Sequence, residues 1–101
     1  MADVFEAHMT FDLGDAETIR DIGDTEGWKF SQIKGDPILG PGTKCYLTSH
    51  GEDADKLLET MRYISATLSK INVPTLRTKI EHIIYDSSTG IDRIKRKTSS
   101  W

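Results

Sequence analysis

An alternation of apolar and polar residues runs through the first part of the chain. Apolar side chains occupy every second position over residues 5–13, and the positions between them hold Glu6, His8, Thr10 and Asp12. Successive side chains of a strand point to opposite faces, so this pattern predicts a strand with one face in the core and the other in solvent. The polar face combines a histidine and a threonine with two carboxylates, which makes it a candidate site for binding or chemistry.

Two segments have the apolar repeat of helices. The first is short, opens with Asp15 as its candidate cap and ends at Gly27. The second extends from about Asp53 to Ile71, and its apolar residues recur four, three, four and three positions apart on one face. Asn72 is expected to adopt a left-handed conformation at its end, and Pro74 prevents its continuation. The apolar stripe of the second helix consists of Leu57, Met61, Ile64, Leu68 and Ile71.

Three further segments have the composition of strands. They cover residues 29–33, 43–50 and 76–85, and a stiff connector of prolines and glycines over residues 35–42 joins the first two. The predicted order is β-α-β-β-α-β, so we expect an α+β protein with the ferredoxin-like plait. Right-handed crossovers then give an antiparallel sheet in the order 4-1-3-2, with both helices on one face.

Charge divides the chain into a domain and a tail. The 101 residues are enough for one hydrophobic core, which we assign to residues 1–86. This segment carries nine Lys and Arg residues against fifteen Asp and Glu, whereas residues 87–101 carry four against one. The last segment is expected to be a basic, flexible tail. The acidic domain does not suit general nucleic-acid binding, because that binding relies on neutralising phosphates.

Cysteine content and hydropathy indicate the cellular setting. The single cysteine, Cys45, excludes an internal disulfide and fits a reducing compartment. We expect neither a membrane span nor a secretory signal, because the chain has no apolar run of about 18 residues and no basic, apolar leader. A cytoplasmic protein is therefore expected.

The predicted topology leaves one sheet face uncovered, and that face gathers most of the candidate chemistry. The first strand lies between the third and the fourth, so its polar residues have neighbours on both sides. If His8 and Thr10 pair with His50 and Thr48, the two histidines lie side by side, whereas a shift of two residues separates them. Hydroxyl groups, cations and imidazoles in this arrangement suit a phosphate or a carboxylate.

The candidate site residues follow from this face. We predict His8 and His50 as candidate catalytic residues, because an imidazole can transfer protons near neutral pH. The predicted ligand-binding residues are Thr10, Tyr46, Thr48, Arg77, Lys79 and Glu81.

The stretch from His8 to Phe11 resembles the His-x-Thr-hydrophobic motif of the 2H phosphoesterases, a family that cleaves 2′,5′ or cyclic nucleotide phosphodiesters. In that family the histidine transfers protons and the threonine binds the phosphate, which implies those roles for His8 and Thr10. The resemblance covers four residues and a related topology. The family carries two such motifs in a chain nearly twice as long, whereas residues 81–84 lack the threonine. A second copy of the chain, or residues 48–50, would have to supply the partner.

Two functions stay open at this point. One is the binding of an anionic, phosphate-bearing small molecule such as a nucleotide, with or without phosphodiester hydrolysis. The other is a non-enzymatic interaction or regulatory module that forms a homodimer through the open face. No cofactor or metal is predicted. No helix follows the glycine-rich residues 35–44 as in a phosphate-binding loop, so we expect a structural hairpin or a rigid rim over the site there. No short-range ligand pair accompanies His8 or His50.

Overall fold

The computed structural model of the chain describes residues 3–94 and has two helices and six strands in this range. In chain order, with one 3₁₀ turn (Leu13–Asp15) before the first helix, the elements are β1 (Val4–Asp12), α1 (Ala16–Glu26), β2 (Lys29–Asp36), β3 (Gly40–Gly51), α2 (Ala54–Ser69), β4 (Arg77–Ile83), β5 (Tyr85–Asp86) and β6 (Ile91–Asp92).

Four strands form an antiparallel sheet in the order β2-β3-β1-β4, which is 4-1-3-2 when counted from the other edge. Both helices lie on one face: α1 packs on β2 and β3, α2 packs on β1, β3 and β4, and the helices also contact each other. The predicted α+β architecture with an antiparallel sheet is confirmed. The arrangement makes β1 a central strand with neighbours on both sides.

The hydrophobic core lies between this sheet and the two helices. β1 contributes Ala7, Met9 and Phe11, and β3 contributes Cys45 and Leu47, all with no exposed surface. These are the residues that the apolar parity of the two strands assigns to the covered face. The remaining buried core residues, from the helices and the segments that follow them, are Ile19, Trp28, Leu57, Met61, Ile64, Leu68 and Val73.

Local capping explains where α2 begins and ends. The Asp53 carboxylate accepts hydrogen bonds from the backbone N–H groups of Asp55 and Lys56, at 3.0 and 3.2 Å. Asn72 has a φ of 63°, so its predicted left-handed conformation is confirmed. The prediction that Ile71 continues the buried stripe is wrong, because the helix ends at Ser69 and the Ile71 side chain is 56% exposed.

α1 differs from the sequence prediction at its start. The Asp15 side chain makes no capping hydrogen bond, because the helix is entered through the 3₁₀ turn. The helix ends as predicted at Gly27, which has a φ of 74°. In its middle, Gly23 is buried against β3, and a Cβ atom at this position would lie only 2.5 Å from Cδ2 of Leu47. The glycine therefore lets the helix approach the sheet closely.

Two connections are more regular than predicted. The glycine and proline segment is a β-hairpin, one of the two expected forms, and its strands extend further than predicted because β2 continues to Asp36 and β3 starts at Gly40. After β4, residues 85–92 form a small separate hairpin in which Asp86 pairs with Ile91, across the predicted boundary between domain and tail. Residues 95–101 of the predicted tail lie outside the described residues. Neither helix within residues 3–94 has the length and apolar character needed to cross a membrane.

Candidate functional site

A cavity of about 200 Å³ opens on the sheet face opposite the helices. Six of the residues around it were predicted from the sequence as catalytic or ligand-binding: His8, Thr10, Tyr46, Thr48, Arg77 and Lys79. Three others were not predicted, and they are Ser31, Ile33 and Asp36 from β2. Two predicted residues, His50 and Glu81, do not line this cavity.

The pairing of β1 with its two neighbours arranges the open face in rows. Glu6, His8 and Thr10 of β1 each have one partner on β3 and one on β4. From β3 through β1 to β4, the rows are Tyr46, Thr10 and Arg77; Thr48, His8 and Lys79; and His50, Glu6 and Glu81. We call them the Thr10 row, the His8 row and the Glu6 row. The first two rows line the cavity, and the third lies beside it.

The register between β1 and β3 corrects one prediction. His8 lies opposite Thr48, and His50 lies opposite Glu6, so the two histidines are not side by side. The strands are shifted by two residues from the expected pairing. Both registers leave the same side chains in the core, and therefore the apolar pattern did not distinguish them.

Thr10 is the most enclosed polar residue of the open face. Its side chain is only 4% exposed, and its hydroxyl group has no hydrogen-bond partner within residues 3–94. Within residues 3–94 no fully enclosed side-chain polar atom lacks a partner, so the Thr10 hydroxyl group remains accessible from the cavity. Since Thr10 lines the cavity, a bound molecule can supply the missing partner.

Two cationic side chains of β4 line the cavity. Arg77 and Lys79 are both partly buried and flank Thr10 and His8 across the strand pair. The Lys79 ammonium group lies 3.3 Å from a carboxylate oxygen of Glu81, at the border of the Glu6 row.

Asp36 and Tyr46 form a hydrogen-bonded unit at the β2–β3 end of the cavity. The Asp36 carboxylate accepts a hydrogen bond from the Tyr46 hydroxyl at 2.7 Å and from the backbone N–H groups of Ile38 and Leu39 at 2.8 and 2.9 Å. The tyrosine bond, followed by these two backbone bonds, lowers the pKa of Asp36 to about 2. Burial, followed by the bond to Asp36, raises the pKa of Tyr46 to about 12.

This unit is a feature that the sequence analysis missed. At neutral pH the Asp36 carboxylate is charged and already accepts three hydrogen bonds. These hydrogen bonds and the positive charge of the Arg77 guanidinium stabilise the negative charge of the carboxylate. An aspartate directly before Pro37 is a typical turn residue, so this position carried a recognisable signal.

His8 links the His8 row with the Glu6 row. Its Nδ1 lies 3.2 Å from Oγ1 of Thr48, and its Nε2 lies 2.5 Å from Oε1 of Glu6 and 3.2 Å from Oε1 of Glu81. The other oxygen of Glu6, Oε2, lies 2.8 Å from Nε2 of His50. Among the residues that the structure describes, the two predicted catalytic histidines are therefore connected through the Glu6 carboxylate and not directly.

The third histidine lies on the other side of the sheet. The His82 ring stacks on Phe5, with the ring centroids 4.9 Å apart, and its Nε2 lies 3.2 Å from Oδ1 of Asp3. Phe5 packs against the hydrophobic core. His82 thus faces away from the cavity, as its parity predicts.

Comparison with known proteins identifies no relative from which the role of this face can be transferred. No protein-family model, no curated protein and no solved structure matches the chain. The function of the open face must therefore be inferred from its own geometry.

Proposed function

We propose that this chain is a ferredoxin-like plait whose open face binds a small anionic molecule, with a phosphate group in the cavity between Thr10 and His8. The observation that carries the proposal is Thr10: a hydroxyl group that makes no hydrogen bond to residues 3–94 and is accessible from the cavity, next to two cationic side chains in the same cavity. An anion with several acceptor oxygens would satisfy this hydroxyl and the charges together.

The chemistry of the donors favours a phosphate. The Arg77 guanidinium offers parallel N–H donors that match two oxygens of a phosphate, while Lys79 contributes a point charge. Hydroxyl groups of Thr10 and Thr48 add neutral donors on the neighbouring strands. The Asp36 carboxylate would repel an anion, but its hydrogen bonds to Tyr46 and two backbone N–H groups weaken that repulsion.

The volume of the cavity restricts the size of the ligand. Pockets for drug-sized molecules usually measure about 300–1,000 Å³, whereas this cavity measures about 200 Å³. It therefore suits a phosphate with a short attached group. A nucleotide would place its phosphate here and leave its base outside, over the open sheet.

Phosphodiester hydrolysis, which the resemblance to the 2H phosphoesterases implies, has weaker support than binding. A reaction through two histidines needs both imidazoles at the same phosphate. His50 does not line the cavity, and its side chain is 60% exposed. We therefore propose binding as the function and treat turnover of a cyclic phosphate as a separate assay.

The test is an NMR titration of the full chain with inorganic phosphate and with a cyclic nucleotide, observing the His8 ring and the Thr10 amide. We expect saturable shifts at these residues. Arg77→Gln should weaken binding by about tenfold or more, since a hydrogen bond to a charged group is worth about 1.5–3 kcal/mol.

The matched control is Arg62→Gln, which removes an exposed arginine from α2 on the opposite side of the sheet. It should leave the affinity within about twofold. Equal effects of the two substitutions would contradict a specific cavity. Shifts at His8 that depend on protein concentration and not on phosphate would instead favour the homodimer.

A further inference from the structure

We propose that the Glu6 row and the adjoining His8 together form a binding site for a divalent transition-metal ion, with Glu6, His8 and Glu81 as ligands and His50 as the fourth. One ligand atom from each of the first three residues lies within 4.8 Å of the others. His50 lies outside this close group, with its Nε2 2.8 Å from the other oxygen of Glu6, Oε2, and its exposed side chain would have to move towards the ion to become the fourth ligand. The site lies beside the anion cavity and does not depend on anion binding.

The first argument is the pairing of like charges. Glu6 lies directly opposite Glu81 in the register of β1 and β4. Two carboxylates in directly opposed positions destabilise a sheet. Here both turn an oxygen towards the same imidazole nitrogen, Nε2 of His8, at 2.5 and 3.2 Å. The Lys79 ammonium group, 3.3 Å from the same oxygen of Glu81, relieves part of this repulsion, and a cation between the two carboxylates would relieve the rest.

The second argument is the orientation of the His8 ring. Its Nδ1 is held by the Thr48 hydroxyl at 3.2 Å, which leaves Nε2 as the nitrogen that faces both glutamates. Metal-binding histidines usually have their second ring nitrogen anchored in this way, because the anchor fixes the ring and its tautomer. The ring is also mostly buried, since only 20% of the side chain is exposed.

The third argument is the rigidity of the backbone that carries the ligands. All four residues belong to strands of the same sheet, with β1 at the centre and β3 and β4 on either side. Functional groups on strands are held more accurately than groups on loops. The exposed His50 is the ligand with the most freedom to move as an ion binds.

The ligand types identify the class of ion. Imidazole nitrogens together with carboxylate oxygens suit Zn²⁺ and similar transition metals, and four such ligands match the tetrahedral geometry that Zn²⁺ prefers. Ca²⁺ and Mg²⁺ are less suitable, because they select oxygen ligands.

The test uses the full chain without a histidine tag, with Zn²⁺ followed by calorimetry and Co²⁺ followed by its visible absorption. We expect one ion per chain and a Co²⁺ spectrum with imidazole ligation. Glu81→Gln should weaken binding by about tenfold or more, and His8→Gln should weaken it further. Because the Glu81 side chain is half-exposed, its substitution should change the unfolding free energy little, and a change in Zn²⁺ affinity can then be attributed to the site.

His82→Gln is the matched control. His82 also lies next to a carboxylate, that of Asp3, but this carboxylate is shared with the Arg93 guanidinium at 3.1 Å. The control should leave the Zn²⁺ affinity within about twofold. The proposal would be overturned by the absence of one-to-one binding, or by a His82→Gln effect as large as that of Glu81→Gln.

Discussion

The two faces of β1 have different environments although their residues alternate along one strand. Ala7, Met9 and Phe11 point into the core and have no exposed surface. His8 and Thr10, between them in sequence, line the cavity on the other face. The free energy of folding should therefore depend mainly on the first set and ligand binding on the second. Substitutions on the two faces should separate these properties.

The largest effect is expected on the covered face. Phe11→Ala should destabilise the protein by about 3–5 kcal/mol, because it removes a fully buried aromatic ring and leaves a cavity. Chemical denaturation followed by circular dichroism measures this loss. Leu13→Ala is the control, since Leu13 continues the alternation but is 45% exposed. Similar losses for both would show that the covered face does not dominate stability.

A second substitution tests how closely the covered face is packed. Gly23→Ala should destabilise the fold by about 1–3 kcal/mol from overpacking, because the added Cβ would overlap with Leu47. The better helix propensity of alanine offsets about 1 kcal/mol of this cost. Gly14→Ala is the control, since a Cβ there has no atom within 4 Å. A stabilised Gly23→Ala variant would contradict the close approach of α1 to β3.

Thr10→Val should lower phosphate affinity and leave stability nearly unchanged. Valine keeps the shape of the side chain, and the hydroxyl group that it removes is accessible from the cavity and makes no hydrogen bond to residues 3–94. The free energy of unfolding should therefore change by less than about 1 kcal/mol. Phosphate affinity should fall by about tenfold, because a hydrogen bond to a charged ligand is lost. Denaturation and the phosphate titration measure the two effects. A loss of stability with unchanged affinity would assign Thr10 to the core instead.

The smallest effect concerns the Asp36 and Tyr46 unit and depends on pH. The pKa of Asp36 is about 2 in the folded chain and 3.8 without perturbation, so folding favours the carboxylate. This contribution is complete above pH of about 4 and is lost as the pH falls to about 2. Tyr46→Phe removes the hydrogen bond that lowers the pKa of Asp36 most. The difference in unfolding free energy between the natural chain and this variant should therefore become smaller as the pH falls from about 4 to about 2.

The carboxyl NMR signal of Asp36 gives a direct measurement. Its pKa should rise from about 2 in Tyr46→Phe and should not change in Tyr63→Phe, whose ring is exposed on α2. An unchanged pKa of Asp36 in Tyr46→Phe would contradict the hydrogen bond between the two side chains.

The burial of Tyr46 and the same hydrogen bond also affect stability at alkaline pH. The pKa of Tyr46 is about 12 instead of 10, so the stabilisation by the neutral phenol is present below pH 10 and is lost towards pH 12.

Much of the fold was predictable because its signals are local. The alternation over residues 5–13 places Met9 and Phe11 in the core, and the repeat in α2 does the same for Met61 and Ile64. Ile71 was assigned wrongly because the repeat does not show where a helix stops. The hairpin within residues 35–44 was one of two expectations, but the ends of its strands were placed too early, since its prolines and glycines conceal the strand pairing on both sides.

Part of the candidate site was predictable for the same reason. Parity and topology place His8, Thr10 and Arg77 on the open face, and all three line its cavity. The parity of Glu81 and His50 places them on the same face, but it cannot show that they lie beside the cavity and do not line it. Asp36 was missed because its role depends on the Tyr46 hydroxyl, ten residues away in sequence.

The sequence by itself determined which face of each central strand is buried, because a side chain's face depends only on the parity of its position. Only the tertiary structure decided which residues of the open face meet. A shift of two residues between β1 and β3 leaves the core side chains buried, yet it places His8 beside Thr48 and His50 beside Glu6. That register separates a row of carboxylates and imidazoles from a cavity with cations and hydroxyls, and so gives one surface two kinds of chemistry.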